Sequence, residues 1–158
     1  MSTLFVDTIN EKTTNNGVYI PGHVLQAVTG TNGGTGISTT STSLLVSGLK
    51  VTITPNSTSS KIYVVASFTV QNGTTNGTQV QLYRKIGSGS ASAVLYHGSG
   101  GLQQYSAGGN NVSAGNYSYL DSPSTTSAVE YEIYYSAYSA GTSYFFSNGQ
   151  IIAMEIGA

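Results

Sequence analysis

The clearest pattern of apolar and polar positions lies in residues 61–71, KIYVVASFTVQ. Side chains that suit a core alternate there with polar or mixed ones, which is the period of a β-strand. The pattern therefore predicts a strand with one face buried. Its inward residues are Ile62, Val64, Ala66, Phe68 and Val70.

Similar alternation, or short β-branched and aromatic runs between turn residues, predicts further strands along the chain. These are residues 23–29, two short strands within 44–55 around Ser47-Gly48, and residues 78–86, 93–97, 116–121 and 128–139. Residues 143–156 are predicted as a hairpin turning at Asn148-Gly149, because Asn-Gly is a strong turn signal. Residues 30–43 and 98–115, rich in Gly and Ser, are predicted as loops.

About eight to ten short strands with regular turns and no helical period indicate two packed antiparallel sheets. We predict an all-β, jelly-roll-like β-sandwich, with an immunoglobulin-like sandwich as the alternative.

The last strand segment, residues 150–156, is apolar on both faces, so it cannot have one side fully in water, and in residues 128–139 tyrosines occupy both faces. Each is either a central strand covered by loops or a strand whose outer face contacts another subunit. Tyrosine suits such a contact, because its ring buries area while its hydroxyl finds a partner. The candidate interface residues are Tyr131, Ile133, Tyr135, Ile152, Met154 and Ile156.

The opening segment, LFVDTINEKTTNNGVYI, differs from the rest. In a chain with only 7% charged residues it holds three charges, its own Asn-Gly signal, and a Pro21-Gly22 break at its end. We interpret residues 1–22 as an extended N-terminal arm and residues 23–158 as the sandwich. The predicted anchors of the arm to a partner are Leu4, Val6, Asp7, Ile9, Val18 and Ile20.

Composition narrows the function classes. A net charge of −1 with five dispersed basic residues predicts no nucleic-acid contact, and the apolar runs are too short for a membrane span. The chain has no cysteine, and its two histidines, His23 and His97, are far apart, so we expect neither metal nor other cofactor.

Catalysis is not expected either. The HGSGG stretch at 97–101 lacks the strand–turn–helix context of a nucleophile elbow. The few carboxylates, among them Glu130 and Glu132, are better explained as a solvated strand face than as a glycosidase pair.

The opening segment resembles the start of tailed-phage virion proteins, common in phages of cyanobacteria and other marine bacteria. Their pattern is Leu-x-Val-Asp-x-Ile, a polar spacer with Thr, then Asn-Gly-Val-x-Ile. The matching residues here are Leu4, Val6, Asp7, Ile9, Thr13, Asn16, Gly17, Val18 and Ile20. Residues 47–70 and the end of the chain also look like the domain that follows this opener.

The resemblance implies a surface-exposed virion component, made in the host cytoplasm and usually homotrimeric. Jelly-roll trimers of the C1q and tumour-necrosis-factor type are its analogues in architecture alone. The first interpretation is a capsid decoration (cement) protein whose arm binds the major capsid protein or another virion protein. The alternative is a tail or head fibre, or receptor-binding module, that contacts a host surface glycan. A polysaccharide depolymerase is only a formal third possibility, since the acidic constellation is missing.

Overall fold

A computed structural model of the protein describes residues 22–33, 36–73, 76–96, 101–106, 110–139 and 141–157. These residues form eleven β-strands and no helix. The strands are β1 (Val24–Thr31), β2 (Ile37–Thr39), β3 (Leu45–Ile53), β4 (Lys61–Asn72), β5 (Asn76–Ile86), β6 (Ser92–Leu95), β7 (Leu102–Ser106), β8 (Asn111–Asp121), β9 (Val129–Ala137), β10 (Ser143–Phe145) and β11 (Gln150–Ile156).

The strands form two antiparallel sheets. In sheet 1, β4 is central, with β8 along one side and β10 and β11 end to end along the other. On the far side of β10 and β11, β1 pairs with β11 and β2 pairs with β10, so β1 and β2 together form one outer row. Sheet 2 has the order β3-β9-β5, and β6 and β7 share the row beyond β5. Each sheet is therefore four rows wide.

The path of the chain between the sheets is that of a jelly roll. It passes from β1 and β2 in sheet 1 to β3 in sheet 2, back to β4, and across again to β5. The next strands, β6 and β7, stay in sheet 2 beside β5, and β8, β9 and β10–β11 then alternate between the sheets. Neighbouring rows thus come from distant parts of the chain, as in nested Greek keys. The predicted jelly-roll-like sandwich is confirmed.

The core lies between the two sheets and follows the predicted alternation. The inward residues of β4 are Ile62, Val64, Ala66, Phe68 and Val70, all at most 3% exposed. Opposite them lie the inward residues of β3, β5 and β9, and burying each large side chain stabilises the fold by about 1.5–3 kcal/mol. Tyr117, Phe145, Ile151 and Ala153 complete the sheet 1 side of the core.

An aromatic cluster fills one half of this core. The ring of Phe68 lies 5.5 Å from that of Tyr117, edge to face, and 5.6 Å from that of Phe145. Phe145 in turn lies 5.5 Å from Tyr135 of sheet 2. These rings join four strands, and such pairs add about 0.5–1.5 kcal/mol each to the burial of their area.

The predicted pair of strands in residues 44–55 is a single strand, β3, with a bulge. Its pairing with β9 shifts register between Val46 and Lys50, and Gly48 has a φ of 77°. The Leu49 N–H donates to Ser47 Oγ at 3.1 Å within the bulge. A positive φ at Gly48 costs little because glycine lacks Cβ, so the strand continues past the bend.

The predicted hairpin around Asn148-Gly149 is wrong. Strands β10 and β11 do not pair with each other but follow one another along β4. Asn32 explains why, since its side chain donates to Phe146 O at 2.7 Å and accepts from the Gly149 N–H at 2.9 Å. Asn32 thus stabilises a turn at residues 147–148 that keeps β10 and β11 running in the same direction, where the sequence indicates a reversal.

The predicted loops hold strands as well. Strand β2 lies within residues 30–43, and β7 and the first half of β8 lie within 98–115. Gly115 of β8 pairs with Phe68, and a Cβ at this glycine would lie 2.1 Å from the Phe68 ring. Glycine is therefore required where the Phe68 ring crosses β8. Because glycine takes the place of an inward apolar residue there, the sequence of β8 lacks the alternation that would have predicted a strand.

One edge of the sandwich is closed by a direct backbone approach. A Cβ on Gly30 of β1 would lie 1.8 Å from the carbonyl oxygen of Lys50 on β3, in the other sheet. Backbone at both positions is held by strand pairing, so neither can move aside cheaply.

We predict that Gly30→Ala lowers the free energy of unfolding by about 1–3 kcal/mol or more, because the methyl group forces the two sheet edges apart. Gly33→Ala is the matched control, since the nearest atom to its Cβ would be 4.0 Å away. The control is expected within about 0.5 kcal/mol of the wild type. Urea unfolding measures both, and equal effects would contradict the edge contact.

Candidate binding surfaces

The predicted arm lies almost wholly outside the described residues. Its candidate anchors Leu4, Val6, Asp7, Ile9, Val18 and Ile20 all fall there, and so does its division from the sandwich, which stays a prediction. The structure does place the point where residues 1–21 join the domain. The Gly22 N–H donates to Gly157 O at 2.8 Å, and the Gly157 N–H donates to His23 O at 3.0 Å. The chain therefore enters and leaves the sandwich side by side.

Three of the candidate interface residues lie inside the core instead. Tyr131 and Ile133 are completely buried and Tyr135 is 2% exposed, all within one chain. The register of β9 places its odd-numbered side chains against sheet 1. This placement corrects their assignment to a subunit interface.

The other three candidates, Ile152, Met154 and Ile156, lie on the outer face of sheet 1 and are half-buried. Strand pairing places them in rows that mix apolar with hydroxyl side chains across the sheet. One row across the four strands is Ala27, Met154, Tyr63 and Leu120; the next is Thr29, Ile152, Val65 and Ser118.

The outer face of sheet 2 has a different chemistry. Glu130 of β9 contacts Lys50 of β3 at 3.1 Å and Lys85 of β5 at 2.7 Å, so one carboxylate bridges three strands. Beside it the rings of Tyr83 and Tyr134 stack with centroids 4.1 Å apart. This is a polar and aromatic surface suited to solvent or to a hydrated ligand.

A shallow depression of about 10 Å³, about the room that one water molecule needs, opens on this face. Tyr83 and Tyr134 form part of its wall, and Lys85, Glu130 and Glu132 add charged groups. Tyrosine faces and carboxylates together are able to contact both the ring and the hydroxyl groups of a polar ligand.

The protein shifts the pKa values of the two carboxylates in the pocket in opposite directions. The hydrogen bond from Lys85, with the contact from Lys50, lowers the pKa of Glu130 below its ordinary value of 4.5. Desolvation raises the pKa of Glu132 above that value, although the Gly48 backbone N–H and Lys50 partly oppose the shift. Glu130 and Glu132, which the sequence predicts on a solvated strand face, are therefore partly shielded from water.

Asp121 is a buried contact between the sheets that the sequence did not reveal. Its oxygens lie 2.8 and 2.9 Å from Nη1 of Arg84, and the Tyr131 hydroxyl donates to it at 2.6 Å. The Ser122 N–H donates to it as well, at 2.9 Å. A carboxylate only 3% exposed needs such partners, so Asp121 is committed to holding β8 against β5 and β9.

Glu155 is a second buried carboxylate, held by neutral donors. Gln26 Nε2 donates to it at 2.6 Å, and Asn56 donates through its backbone N–H at 2.7 Å and its side chain at 3.0 Å. Gln26 Nε2 also donates to Thr54 O at 2.7 Å. Glu155 therefore ties the β3–β4 turn to β1 and β11, near the point where the chain enters the sandwich.

The described residues contain no group of three His, Cys, Asp or Glu able to hold a metal ion. His23 is exposed beside the chain entry, and His97 lies outside the described residues. Over the same part of the chain, no helix is long and apolar enough to span a membrane.

No protein-family model matches the sequence, and the curated proteins give no significant match. Among solved structures, the chain is similar to two of infectious bursal disease virus, the Gx strain and a VP2 subviral particle, each with a TM-score of 0.49. A third, the Gt strain of that virus, has a TM-score of 0.43. Identity is 14% and 84% of this chain is covered in all three. The chain spans only 33–38% of the length of those chains, and the likeness assigns neither family nor function.

We predict that the unfolding free energies of Glu130→Gln and Glu132→Gln differ in opposite ways from that of the wild type near pH 7. The folded state lowers the pKa of Glu130, so its contribution is present above its unfolded pKa near 4.5 and is lost as the pH falls through the folded value. Glu130→Gln should therefore be less stable than the wild type at pH 7, with the difference shrinking in acid.

For Glu132 the folded state raises the pKa, so stability is lost as the pH rises from about 4.5 through the folded value. Glu132→Gln removes this loss and should be at least as stable as the wild type at pH 7, with the two equal in acid. Urea unfolding between pH 3 and pH 8 (about the range of these carboxyl groups) measures both. Parallel losses at every pH would contradict the assigned environments.

Proposed function

We propose that this chain is a non-enzymatic structural protein of a phage virion, acting as a homotrimeric decoration protein that attaches to the head through its N-terminal arm. The observation that carries the proposal is that the two ends of the sandwich differ. Its described chain begins at Gly22, beside the end of β11, while β4, β7 and β9 end, and β5, β8 and β10 begin, at the opposite end. An arm hung from one end leaves the other end facing away from the attachment site.

The arm has the reach and the pattern for this role. Fully extended, 21 residues span about 70 Å, enough to cross onto a neighbouring capsid subunit. Alternating apolar residues such as Leu4 and Val6 suit a strand added to a partner's sheet edge, where main-chain hydrogen bonds give affinity and side chains give register. Because such an arm binds only the assembled shell, it stabilises the shell by mass action.

The resemblance of the opening segment to phage virion proteins supports the same proposal, and so do the described carboxylates. Asp121 and Glu155 are buried in structural hydrogen bonds, and Glu130 is paired with two lysines. These contacts give three of the four described acids a structural role, so Glu132 has no second uncommitted carboxylate beside it for the pair that glycoside hydrolysis requires.

We expect a variant that lacks residues 2–21 to fold but to be absent from the head, whereas the full chain is present in many copies per virion. Val6→Asp with Ile9→Asp should weaken binding to capsids about 100-fold, since each anchor contributes about 1.5 kcal/mol or more. The matched control is Thr8→Asp with Asn10→Asp, which adds the same charge to the arm. Capsid pull-down and electron microscopy of virions measure occupancy and location.

A location on the tail alone would overturn the decoration role. An unfolded truncated chain would show instead that the opening segment belongs to the core of the sandwich.

The second candidate function is a fibre or receptor-binding module for a host surface glycan. The pocket of Tyr83, Tyr134 and Glu132 favours it, because aromatic faces beside a carboxylate suit the apolar face and the hydroxyls of a sugar. For this function the ligand would bind on the side of the sandwich, on sheet 2.

If this candidate is right, the full chain binds a subset of bacterial surface oligosaccharides on an array, and Tyr83→Ala with Tyr134→Ala abolishes the signal. Tyr144→Ala, which removes an exposed tyrosine of sheet 1, is the control and should bind as the wild type does. Absence of selective binding by the wild type, or equal loss in the control, would reject the pocket as a glycan site.

A further inference from the structure

Strand β8 forms one edge of sheet 1, since among the described residues it pairs with β4 alone. It is 11 residues long and follows β4 along its whole length without a bulge. Its sequence, NVSAGNYSYLD, contains no proline and only one charged residue, Asp121 at its end. Lysine, proline, a bulge or a short length usually keeps an edge strand from pairing with another chain. Strand β8 has none of this protection.

The other edges of the two sheets are protected in these ways. Strands β2, β6 and β7 have only three, four and five residues, and the pairing of β6 and β7 with β5 is irregular. Strand β3 has the bulge at Gly48 and the charge of Lys50, and β1 packs against it at Gly30. In the part of the chain that the structure describes, β8 is therefore the one long, regular edge that a further strand could extend.

The backbone of β8 offers hydrogen bonds along this edge. The Phe146 N–H donates to Thr69 O at 3.0 Å, so the backbone groups of Thr69 point away from β8. Thr69 lies opposite Ala114, and in an antiparallel pair the backbone groups of opposite residues point either towards each other or away from each other. Ala114 and every second residue after it therefore direct N–H and C=O outward. These exposed residues are Asn116, Ser118 and Leu120.

The core is incompletely covered along the same edge. The side chain of Tyr119 points inward from β8 but is only half-buried, unlike the inward residues of β4. Leu95 of β6, at the edge of sheet 2, is half-buried as well, and both residues pack against the core. A strand added beside β8 would cover the exposed part of Tyr119, so it would gain apolar burial in addition to backbone hydrogen bonds.

We propose that residues 17–20 of a neighbouring copy, Gly-Val-Tyr-Ile, pair with the outward edge of β8 around Ser118. The inference rests on the proposed function and deepens it, because it names the part of the arm that builds the homotrimer. In this pairing Val18 and Ile20 cover Tyr119, and Tyr19 lies on the outer face. The polar spacer of residues 10–16 separates this piece from residues 4–9, which stay free to bind the capsid.

The positions of Gly22 and β8 favour a neighbouring copy as the donor. Gly22 lies at the end of the sandwich where β8 and β11 end and β4 begins. It also lies in the row of β1, at the edge of sheet 1 opposite β8. Copies placed side by side therefore bring the base of one arm next to β8 of the next copy. Such a head-to-tail contact joins two different surfaces, so it closes into a ring, as a cyclic trimer requires.

The same chain cannot place this segment on its own β8. Ile20 is two residues from Gly22, so their Cα atoms lie at most about 7 Å apart. Strand β8 is three rows away from β1, or about 14 Å. Residues 17–20 therefore need an edge that a second copy brings close to Gly22.

We expect the full chain to sediment as a trimer. Ser118→Pro should raise its dissociation constant at least about 10-fold, because proline removes an outward N–H and blocks the added strand. The bonds between β8 and β4 remain, so this variant should fold, which circular dichroism checks. Ser118→Ala keeps the N–H and is the matched control, which should sediment as the wild type does.

The donor segment is tested without changing the sandwich. Val18→Asp with Ile20→Asp should also raise the dissociation constant at least about 10-fold, because two apolar contacts are lost. Thr13→Asp with Thr14→Asp adds the same charge to the spacer and should leave the mass unchanged. Val6→Asp with Ile9→Asp should lose capsid binding but remain trimeric, so failure of this inference and failure of the proposed function give different results.

Cross-linking identifies which chains meet. Because the chain has no cysteine, Tyr19→Cys and Leu120→Cys each introduce a single thiol. A mixture of the two variants, treated with a short bis-maleimide, should yield a product that joins one chain of each kind. The double variant should yield a linked trimer.

A wild type that is monomeric at every concentration overturns this inference, and so does a trimer unchanged by a folded Ser118→Pro variant or by the aspartates at 18 and 20. A link between two thiols at 120 would show two-fold pairing of β8 edges. A link between 19 and 120 within one chain would show that the chain's own arm occupies the edge. Either link also overturns the inference.

Discussion

The packing of the two sheets against each other is the contact on which the rest of this molecule depends. The chain has no cysteine and few charges, so its free energy of folding must come largely from apolar side chains buried between the sheets. The aromatic cluster around Phe68 and Phe145 joins both layers at one point of that interior. The close approach of Gly30 to the backbone of β3 fixes the distance between the layers at one edge.

A packed interior of this kind tolerates polar groups only if they form hydrogen bonds or ion pairs. Two buried carboxylates among the described residues do so. Asp121 has an arginine and a tyrosine hydroxyl as partners, whereas Glu155 is held by amides. In both cases the carboxylate links elements that are distant in sequence. The buried charges therefore specify which strands meet, at a desolvation cost that their partners offset.

The remaining surfaces divide the molecule by chemistry. Sheet 2 faces outward with a lysine–glutamate ladder and stacked tyrosines, which water can solvate. The described outer face of sheet 1 instead mixes apolar side chains with hydroxyl and amide groups, and Lys61 is its one charged residue. The chain enters at one end of the sandwich, beside Gly157. Together these features describe a module whose two outer faces differ in charge and whose described chain begins and ends at the same end of the sandwich.

The sequence by itself determined the local structure wherever a single face is buried. The alternation in β4 predicted both the strand and its five inward residues, because a period of two assigns every side chain to one of two faces. Composition and turn spacing likewise predicted two antiparallel sheets. For the outer apolar face, Ile152, Met154 and Ile156 were identified from the two-faced pattern of the last strand.

Only the tertiary structure decided questions that depend on contacts between distant residues. Alternation does not say which face of β9 points inward, and the inter-sheet contact of Tyr131 with Asp121 shows that it is the face with Tyr131, Ile133 and Tyr135. The turn at Ser147-Asn148 links β10 to β11 without reversing the chain, and Asn32, more than a hundred residues away in sequence, accepts a hydrogen bond from the Gly149 N–H there. Such long-range hydrogen bonds and close approaches leave no periodic signal in the local sequence, because the residues that form them become neighbours only once both sheets are in place.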